Sequence, residues 1–266
     1  MFNLTLKRQF YLMKPFLSIV TATYNSEKTL EETINSVLNQ NYNNFEYIIV
    51  DGNSTDDTIN IIKKFELIFK KKQKTFKWIS EKDTGIYNAW NKGLKLASGN
   101  WISFLGSDDI YLENVLEKYA NKIFENKNID FIYSKVKLVD NAKVIFIISE
   151  IWKWRTFKRQ MKIAHVGSFH NKKYFEKYGD FDEEYKIIGD YEMLLRAKNN
   201  LKTYFLDEFT AEMKDGGVSN NNILKAFKEA RKAKIITAKI TKPLVFFDFY
   251  YFLFKYYIST FVKKYL

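Results

Sequence analysis

Cysteine is absent from the 266 residues, and histidine and proline occur only twice each. Without thiols there is no disulfide framework and no thiolate chemistry, as suits a reducing compartment. Two histidines, His165 and His170, cannot furnish a multi-histidine metal centre. Prolines only at 15 and 243, with 46% hydrophobic residues, exclude a disordered chain. No Gly-x-Gly-x-x-Gly follows the first apolar run, and no Gly-x₄-Gly-Lys-Ser/Thr occurs anywhere, so neither a dinucleotide fingerprint nor an NTPase phosphate loop is present. The N-terminal apolar stretch is broken by Lys7, Arg8 and Lys14 and lacks a small-residue cleavage site, unlike a secretory signal. The most apolar stretch, 243–262, contains Asp248 and Lys255, so its uncharged runs are too short to span a bilayer.

What is present is enough for a real core, as one large domain or one domain with a tail. Charge is polarised. Residues 223–266 hold ten Lys or Arg against two acids, Glu229 and Asp248, so only +4 of the +12 net charge belongs to the first 222 residues. That asymmetry points to an anionic surface as partner, nucleic acid or lipid.

Apolar runs at 16–21, 45–50, 77–80 and 101–105 read as strands. Between them Leu30, Ile34, Val37 and Leu38, then Ile59, Ile62 and Phe65, then residues 87–96, repeat at helical spacing. This alternation predicts βαβ units and a mainly parallel sheet flanked by helices, an α/β fold. Further on, the pattern predicts a helix at 112–124, a hairpin of 131–139 and 144–150, helices at 174–178 and 190–199, and a strand at 203–213. A long helix at 222–239 leads to residues 246–257, nine of twelve of them aromatic.

The four early strands end on or lead into polar residues: Thr21, Asp51, residues 80–83, and Asp108-Asp109. In a parallel sheet these gather on one edge, where ligands bind. A lone aspartate there is usually a helix cap, and capping of 112–124 is the competing reading of Asp108-Asp109. Several converging on one edge suit a polar, nucleotide-bearing ligand. Two adjacent carboxylates suit a hard divalent cation shared with substrate phosphates.

Five blocks together resemble family 2 glycosyltransferases of the GT-A fold: Ser-Ile-Val-Thr-Ala-Thr-Tyr-Asn (18–25), Val-Asp-Gly-Asn-Ser-Thr-Asp-Asp-Thr (50–58), Asp-Thr-Gly-Ile-Tyr-Asn-Ala-Trp-Asn-Lys-Gly (83–93), Ala-Ser-Gly-Asn-Trp-Ile-Ser-Phe-Leu-Gly-Ser-Asp-Asp (97–109) and Gly-Asp-Tyr-Glu-Met-Leu-Leu-Arg (189–196). The resemblance covers about 16–219 and is closest to enzymes of bacterial surface-polysaccharide assembly. It implies an inverting, metal-dependent transferase with a nucleotide-diphosphate sugar donor, a UDP-sugar for preference, and Mn²⁺ or Mg²⁺ as cofactor. The family's acidic motif falls on Ser107-Asp108-Asp109, with serine at its first position. Asp109 is then the metal contact and Asp108 a ribose or metal-water contact. Asp51 and Asp83 match nucleoside contacts, and Thr21, Tyr24 and Glu27 match the loop bordering the base, with simple packing the alternative for Tyr24. Asp190 matches the general base that deprotonates the acceptor hydroxyl, with helix capping as its alternative. Glu192, His165 and Gly217 match positions near the acceptor or phosphates; a structural histidine and an ordinary turn are the alternatives for the last two. Trp152, Trp154 and Tyr185 are candidates for an acceptor floor or for core packing.

The chain thus divides into a leader at 1–15 (with Met13 an alternative start), a catalytic domain at 16–219 with halves 16–110 and 111–219, and a helical basic/aromatic tail at 220–266. The tail's aromatics, flanked by Lys239, Lys242, Lys263 and Lys264, suit an anchor lying in the interface of an anionic membrane; packing onto the domain or a homodimer partner is the alternative. The expected setting is the cytoplasmic face of the membrane, with a saccharide or lipid-linked saccharide as acceptor. Two other functions compete. A nucleotidyltransferase would need a Gly/Lys/Arg-rich loop where the chain has Ala-Thr-Tyr-Asn-Ser-Glu. A nucleic-acid binder would need an OB or RRM pattern that the tail lacks, so no nucleic acid is expected.

Overall fold

The structure, a computed structural model, describes residues 16–216 and 222–265, with side chains through 258. The leader at 1–15 and Gly217 lie outside the described residues. The first half is the expected α/β unit. Strands β1 (Leu17–Thr23), β2 (Phe45–Asp51), β3 (Thr75–Ser80) and β4 (Trp101–Gly106) are all parallel in the order β3-β2-β1-β4. Helices α1 (Leu30–Leu38), α2 (Thr58–Lys71) and α3 (Ile86–Leu96) connect them. β1, β2 and β4 are buried along almost their whole length, as strands covered on both faces must be. Each helix buries one stripe, such as Ile61, Ile62, Phe65 and Phe69 of α2.

Past β4 the sheet is mixed rather than parallel. It continues through β8 (Ser168–Asn171), β6 (Phe131–Asp140), β9 (Thr203–Lys214) and β5 (Ile110–Tyr111), with β7 (Lys143–Ile148) hairpinned onto β6. β8 runs antiparallel to both β4 and β6, β5 antiparallel to β9, and only β6 with β9 is parallel. Residues 107–109 alone separate β4 from β5, yet β5 pairs at the far end of the strand order. The sheet must therefore curl until the end of β9 returns to the carboxyl end of β4. The helix expected at 112–124 starts later, as α4 (Val115–Glu125), after Asn114 at φ +60°. β5 intervenes, so Asp108 and Asp109 do not cap it. Short helices α5 (Trp154–Phe157) and α6 (Lys172–Tyr178) precede α7 (Gly189–Ala197), which carries Asp190.

The tail is two helices, α8 (Ile223–Ile236) and α9 (Lys242–Tyr265), and it is docked on the preceding part of the chain. Ala233 and Val245 are buried. Asp248, which looks misplaced in an aromatic run, is fully buried at 0% exposure and accepts from Arg159 Nε at 2.8 Å and Lys234 Nζ at 3.3 Å. Packing on the domain thus accounts for the inner face of α9. Its outer face exposes Phe247, Tyr250, Tyr251 and Phe254. No helix among the described residues is long and apolar enough to cross a membrane.

Asp248→Ala leaves Arg159 and Lys234 facing each other across a buried seam. It is expected to cost about 3 kcal/mol, lowering the melting temperature by roughly 6–12 °C, with faster amide exchange along α9. An unchanged melting temperature and unchanged exchange would mean that this ion cluster does not hold the tail.

Candidate active site

The carboxyl ends of β1 to β4 form one rim, and the loops above them are tied together before any ligand arrives. Glu27 accepts from the Asp57 amide at 3.0 Å, while the Glu27 amide donates to Asp56 at 3.1 Å. Asn25 accepts from the Thr55 amide at 2.8 Å. Glu27 is thereby a latch between the loops after β1 and β2. Asp51 is fully buried, and one of its oxygens accepts from the amides of Asn53 and Ser54 at 3.0 Å each and from the Ser80 hydroxyl at 2.6 Å. It shapes the loop that starts at Gly52. A Cβ at Gly52 would sit 2.6 Å from Asp83 Oδ2 and 3.3 Å from the Tyr24 ring. Only glycine there lets Asp83 and the 60%-exposed Tyr24 close over the backbone, which makes a lip of one ring and one carboxylate. Thr21 is not part of it. Its hydroxyl is fully buried and accepts from Tyr47 at 3.0 Å, because its side chain points into the sheet's packed face rather than to the rim.

At the end of β4 the two carboxylates converge. A Cβ built on Gly106 would meet Asp109 Oδ2 at 2.5 Å and Asp108 Oδ1 at 3.0 Å, so both oxygens crowd the space that glycine leaves. Asp109 is 5% exposed, and its other oxygen accepts the Lys214 amide at 3.1 Å, the contact that the curl of β9 creates. Burial, then repulsion from Asp108, pushes the Asp109 carboxyl up to about 7. No side-chain cation pairs with either carboxylate among the described residues. Nor do three His, Cys, Asp or Glu side chains among those residues come together as a complete metal site. An all-oxygen pair that repels itself fits a hard divalent cation whose remaining ligands are water and substrate phosphate.

Asp190 lines the same cleft, a space of about 780 Å³ bounded also by Ala22, Asp108 and Asp109. Its Oδ1 accepts from the Tyr87 hydroxyl at 3.2 Å and the Tyr191 amide at 2.9 Å. Oδ2 has no partner among the described residues. Burial pushes this carboxyl up to about 6. Tyr87 also donates to the Ile187 carbonyl at 2.9 Å, and its ring lies 2.8 Å from where a Cβ on Gly189 would be. Gly189 therefore lets Tyr87 approach closely enough to orient Asp190. Glu192 faces elsewhere. It is bound by Arg196 at 2.6 Å and by Thr237 at 2.8 Å, and so it fastens α7 to α8 away from the cleft.

His165 reaches the cleft wall but belongs to the core. Its Nε2 is 2.9 Å from Nε2 of His170, and its ring packs on Trp90 and Phe104. Burial drives its pKa down to about 3, so it is neutral and cannot neutralise phosphate by charge. Trp152, Trp154 and Tyr185 pack into the core that includes Trp90, Phe104 and Phe157 and do not line the cleft. Two contributors were not evident from composition. Tyr87 sits in the third sequence block without a distinguishing neighbour. The far wall of the cleft comes from the tail, through Phe227, Arg231 and Lys234 of α8 and Phe249 and Phe252 of α9. Their helical spacing in the sequence was the available signal.

The sequence profile of Glycosyl transferase family 2 matches residues 18–178, more than half of the chain. A PGL/p-HBAD biosynthesis glycosyltransferase of Mycobacterium bovis is 29% identical over 225 residues, covering 80% of this chain and 82% of the relative. The Escherichia coli UDP-Glc:alpha-D-GlcNAc-diphosphoundecaprenol beta-1,3-glucosyltransferase WfgD is 34% identical over 129 residues, 48% of this chain and 49% of that one. Among solved structures, S. aureus TarS 1–349 in complex with UDP has the same fold, with a TM-score of 0.66 at 23% identity over 91% of this chain and 71% of that chain. The mannosyltransferase PcManGT from Pyrobaculum calidifontis, in complex with GDP-Man and Mn²⁺, gives 0.65 at 13% identity over 94% and 76%. The fold is GT-A, and by its sequence the chain belongs to glycosyltransferase family 2.

Proposed function

We propose that this enzyme transfers a sugar, with inversion, from a UDP-sugar to a lipid-linked or growing saccharide acceptor in surface-glycan assembly. The observation that carries the reading is the presence in one cleft of a cation-deficient pair, Asp108 and Asp109, and a separate carboxylate with a raised pKa, Asp190. TarS and PcManGT, bound to UDP and to GDP-Man with Mn²⁺, support a nucleoside-diphosphate donor. WfgD, whose name gives a UDP-sugar donor and a diphosphoundecaprenol acceptor, supports the uridine and lipid-linked assignments.

Each residue has a distinct task in this reading. Tyr24 and Asp83 border the nucleoside, beside the loop that Asp51 shapes. Asp108 and Asp109 would hold Mn²⁺ or Mg²⁺; that cation, when bound, neutralises charge on the departing diphosphate. Asp190 Oδ2 takes the proton of an acceptor hydroxyl while the hydroxyl oxygen attacks the anomeric carbon. As that bond forms, the bond from the anomeric carbon to the diphosphate oxygen breaks, and UDP leaves with the electron pair. One displacement of this kind inverts the anomeric centre. A carboxylate titrating near 6 is ionised at neutral pH yet more basic than an exposed aspartate. The exposed aromatics and lysines of α9 suit attachment to the anionic inner leaflet.

Asp190→Asn should lower kcat by about 10²–10⁴-fold while leaving UDP affinity unchanged; a loss under about tenfold would remove Asp190 as base. In the wild type the rate should fall below pH 6, as Asp190 takes up a proton. Tyr87→Phe removes a donor that favours the ionised form, so that acid limb should move to higher pH. The anomeric proton coupling of the product, read by NMR, should be opposite in configuration to the donor's, and retention would exclude the single displacement.

A further inference from the structure

The helical wall of the cleft has the chemistry of a site for an amphiphile with one anionic point. Ala226, Phe227, Ala230, Arg231 and Lys234 fall on one face of α8, and Phe249 and Phe252 of α9 lie beside them. Two cations of this wall, Arg231 and Lys234, line the cleft, and Arg159 from outside the tail lies among them. Arg159 and Lys234 are both engaged by Asp248. Arg231 is not. Its guanidinium lies 5.3 Å from the Phe246 ring centroid and 5.1 Å from that of Phe249, and no carboxylate among the described residues pairs with it. Two aromatic faces fix the half-buried side chain in position, yet its fork of N–H donors has no acceptor among the described residues. Such a group is matched by a phosphate oxygen rather than by water alone.

Arg231 is also held at a set place relative to the chemistry. Glu229, on the same helix, accepts from the amides of Lys186 at 3.2 Å, Ile187 at 3.0 Å and Ile188 at 3.3 Å, which lead directly into Asp190. Thr237 makes a second tie to the Asp190 helix through Glu192. In the other direction, α9 carries an open apolar groove lined by Phe247, Tyr250, Tyr251 and Phe254. One cleft thus holds the base, an uncompensated guanidinium and half-buried rings, and the exposed rings of α9 lie on the same helix as Phe249 and Phe252. Inorganic pyrophosphate would match the guanidinium and leave the rings in water. A neutral hydrocarbon would do the reverse.

We propose that Arg231 binds the phosphate next to the acceptor sugar of a lipid-diphosphate-linked acceptor, with Phe227, Phe249 and Phe252 seating the first units of its hydrocarbon chain. This rests on the reading of the chain as a transferase with a lipid-linked acceptor, and it identifies the part of the acceptor that is recognised.

Farnesyl diphosphate is a suitable probe, titrated calorimetrically into the full chain with saturating UDP and Mn²⁺ so that the donor site is filled. Farnesol, inorganic pyrophosphate and phosphatidylglycerol vesicles are the comparators. The wild type should bind farnesyl diphosphate about tenfold or more tightly than farnesol or pyrophosphate. Arg231→Met, which keeps an aliphatic filling between the two rings, should abolish that preference, and Arg231→Lys should keep most of it. If Arg231→Met lowers the melting temperature, Arg231→Gln replaces it in the comparison. Equal affinity of wild type and Arg231→Met for the probe overturns the proposal, as does pyrophosphate binding as tightly as its farnesyl ester. Vesicle binding that depends on Arg231, with no binding of farnesyl diphosphate, also overturns it and assigns the residue to the bilayer. UDP binding is read separately. Its absence from the wild type would defeat the donor assignment, whereas normal UDP binding without preference for the probe defeats the Arg231 assignment alone.

Discussion

Asp108 and Asp109 meet at the carboxyl end of β4, over the one residue there with no side chain, and among the described residues no side-chain cation pairs with either of them. Glu46, at the other end of the same sheet, gives the scale of that imbalance. It is equally buried, but Lys77 at 2.7 Å, Ser18 at 2.6 Å and the Ser98 amide at 2.6 Å bind its carboxylate. Burial raises the pKa of Glu46; these partners more than reverse the effect, and the group stays below its ordinary range. Asp109 has the burial, a like-charged neighbour and the Lys214 amide in place of a side-chain cation, and it rises to about 7. One carboxylate is a finished structural brace. The other pair lacks such a brace among the described residues, and a divalent cation with a diphosphate has the charge and oxygen chemistry that would suit it.

The remainder of the fold maintains that arrangement. Parallel pairing of β1 to β4 sets the rim, and the curl of the mixed half returns Lys214 to Asp109. Thr33 of α1 secures the Asp109 carbonyl at 2.9 Å from the other side. Opposite, Tyr87 and the close approach at Gly189 orient Asp190. The two acidic centres are thus carried by different elements. The tail closes the cleft by way of Asp248, Glu229 and Thr237, which makes it a wall of the candidate active site.

Much of the first half was legible in the sequence because buried parallel strands read as apolar runs that stop at polar residues. Asp51, Asp83, Asp108 and Asp109 all emerged from that rule, and the family resemblance added Asp190. The second half was harder for identifiable reasons. β5 is two residues long and its partner β9 lies a hundred positions further on, so no local pattern announces it. Asp248 was read only as a charge that interrupts the apolar stretch, because its partner Arg159 lies 89 residues away. His165 and Thr21 matched useful positions in the family pattern. Their burial depends on rings from distant segments, which spacing alone does not reveal. Glu192 had a local clue, its i,i+4 relation to Arg196, which pointed to a structural pair.

The central claim is that the Asp108-Asp109 edge binds a nucleoside diphosphate together with a divalent cation. Calorimetric titration of UDP with Mn²⁺, with EDTA, and with Asp109→Asn in Mn²⁺ tests it most directly. The account predicts tight binding in Mn²⁺ and about a tenfold or greater loss in both of the other titrations. UDP affinity that is indifferent to chelation and to Asp109→Asn, or no binding with metal present, would contradict it.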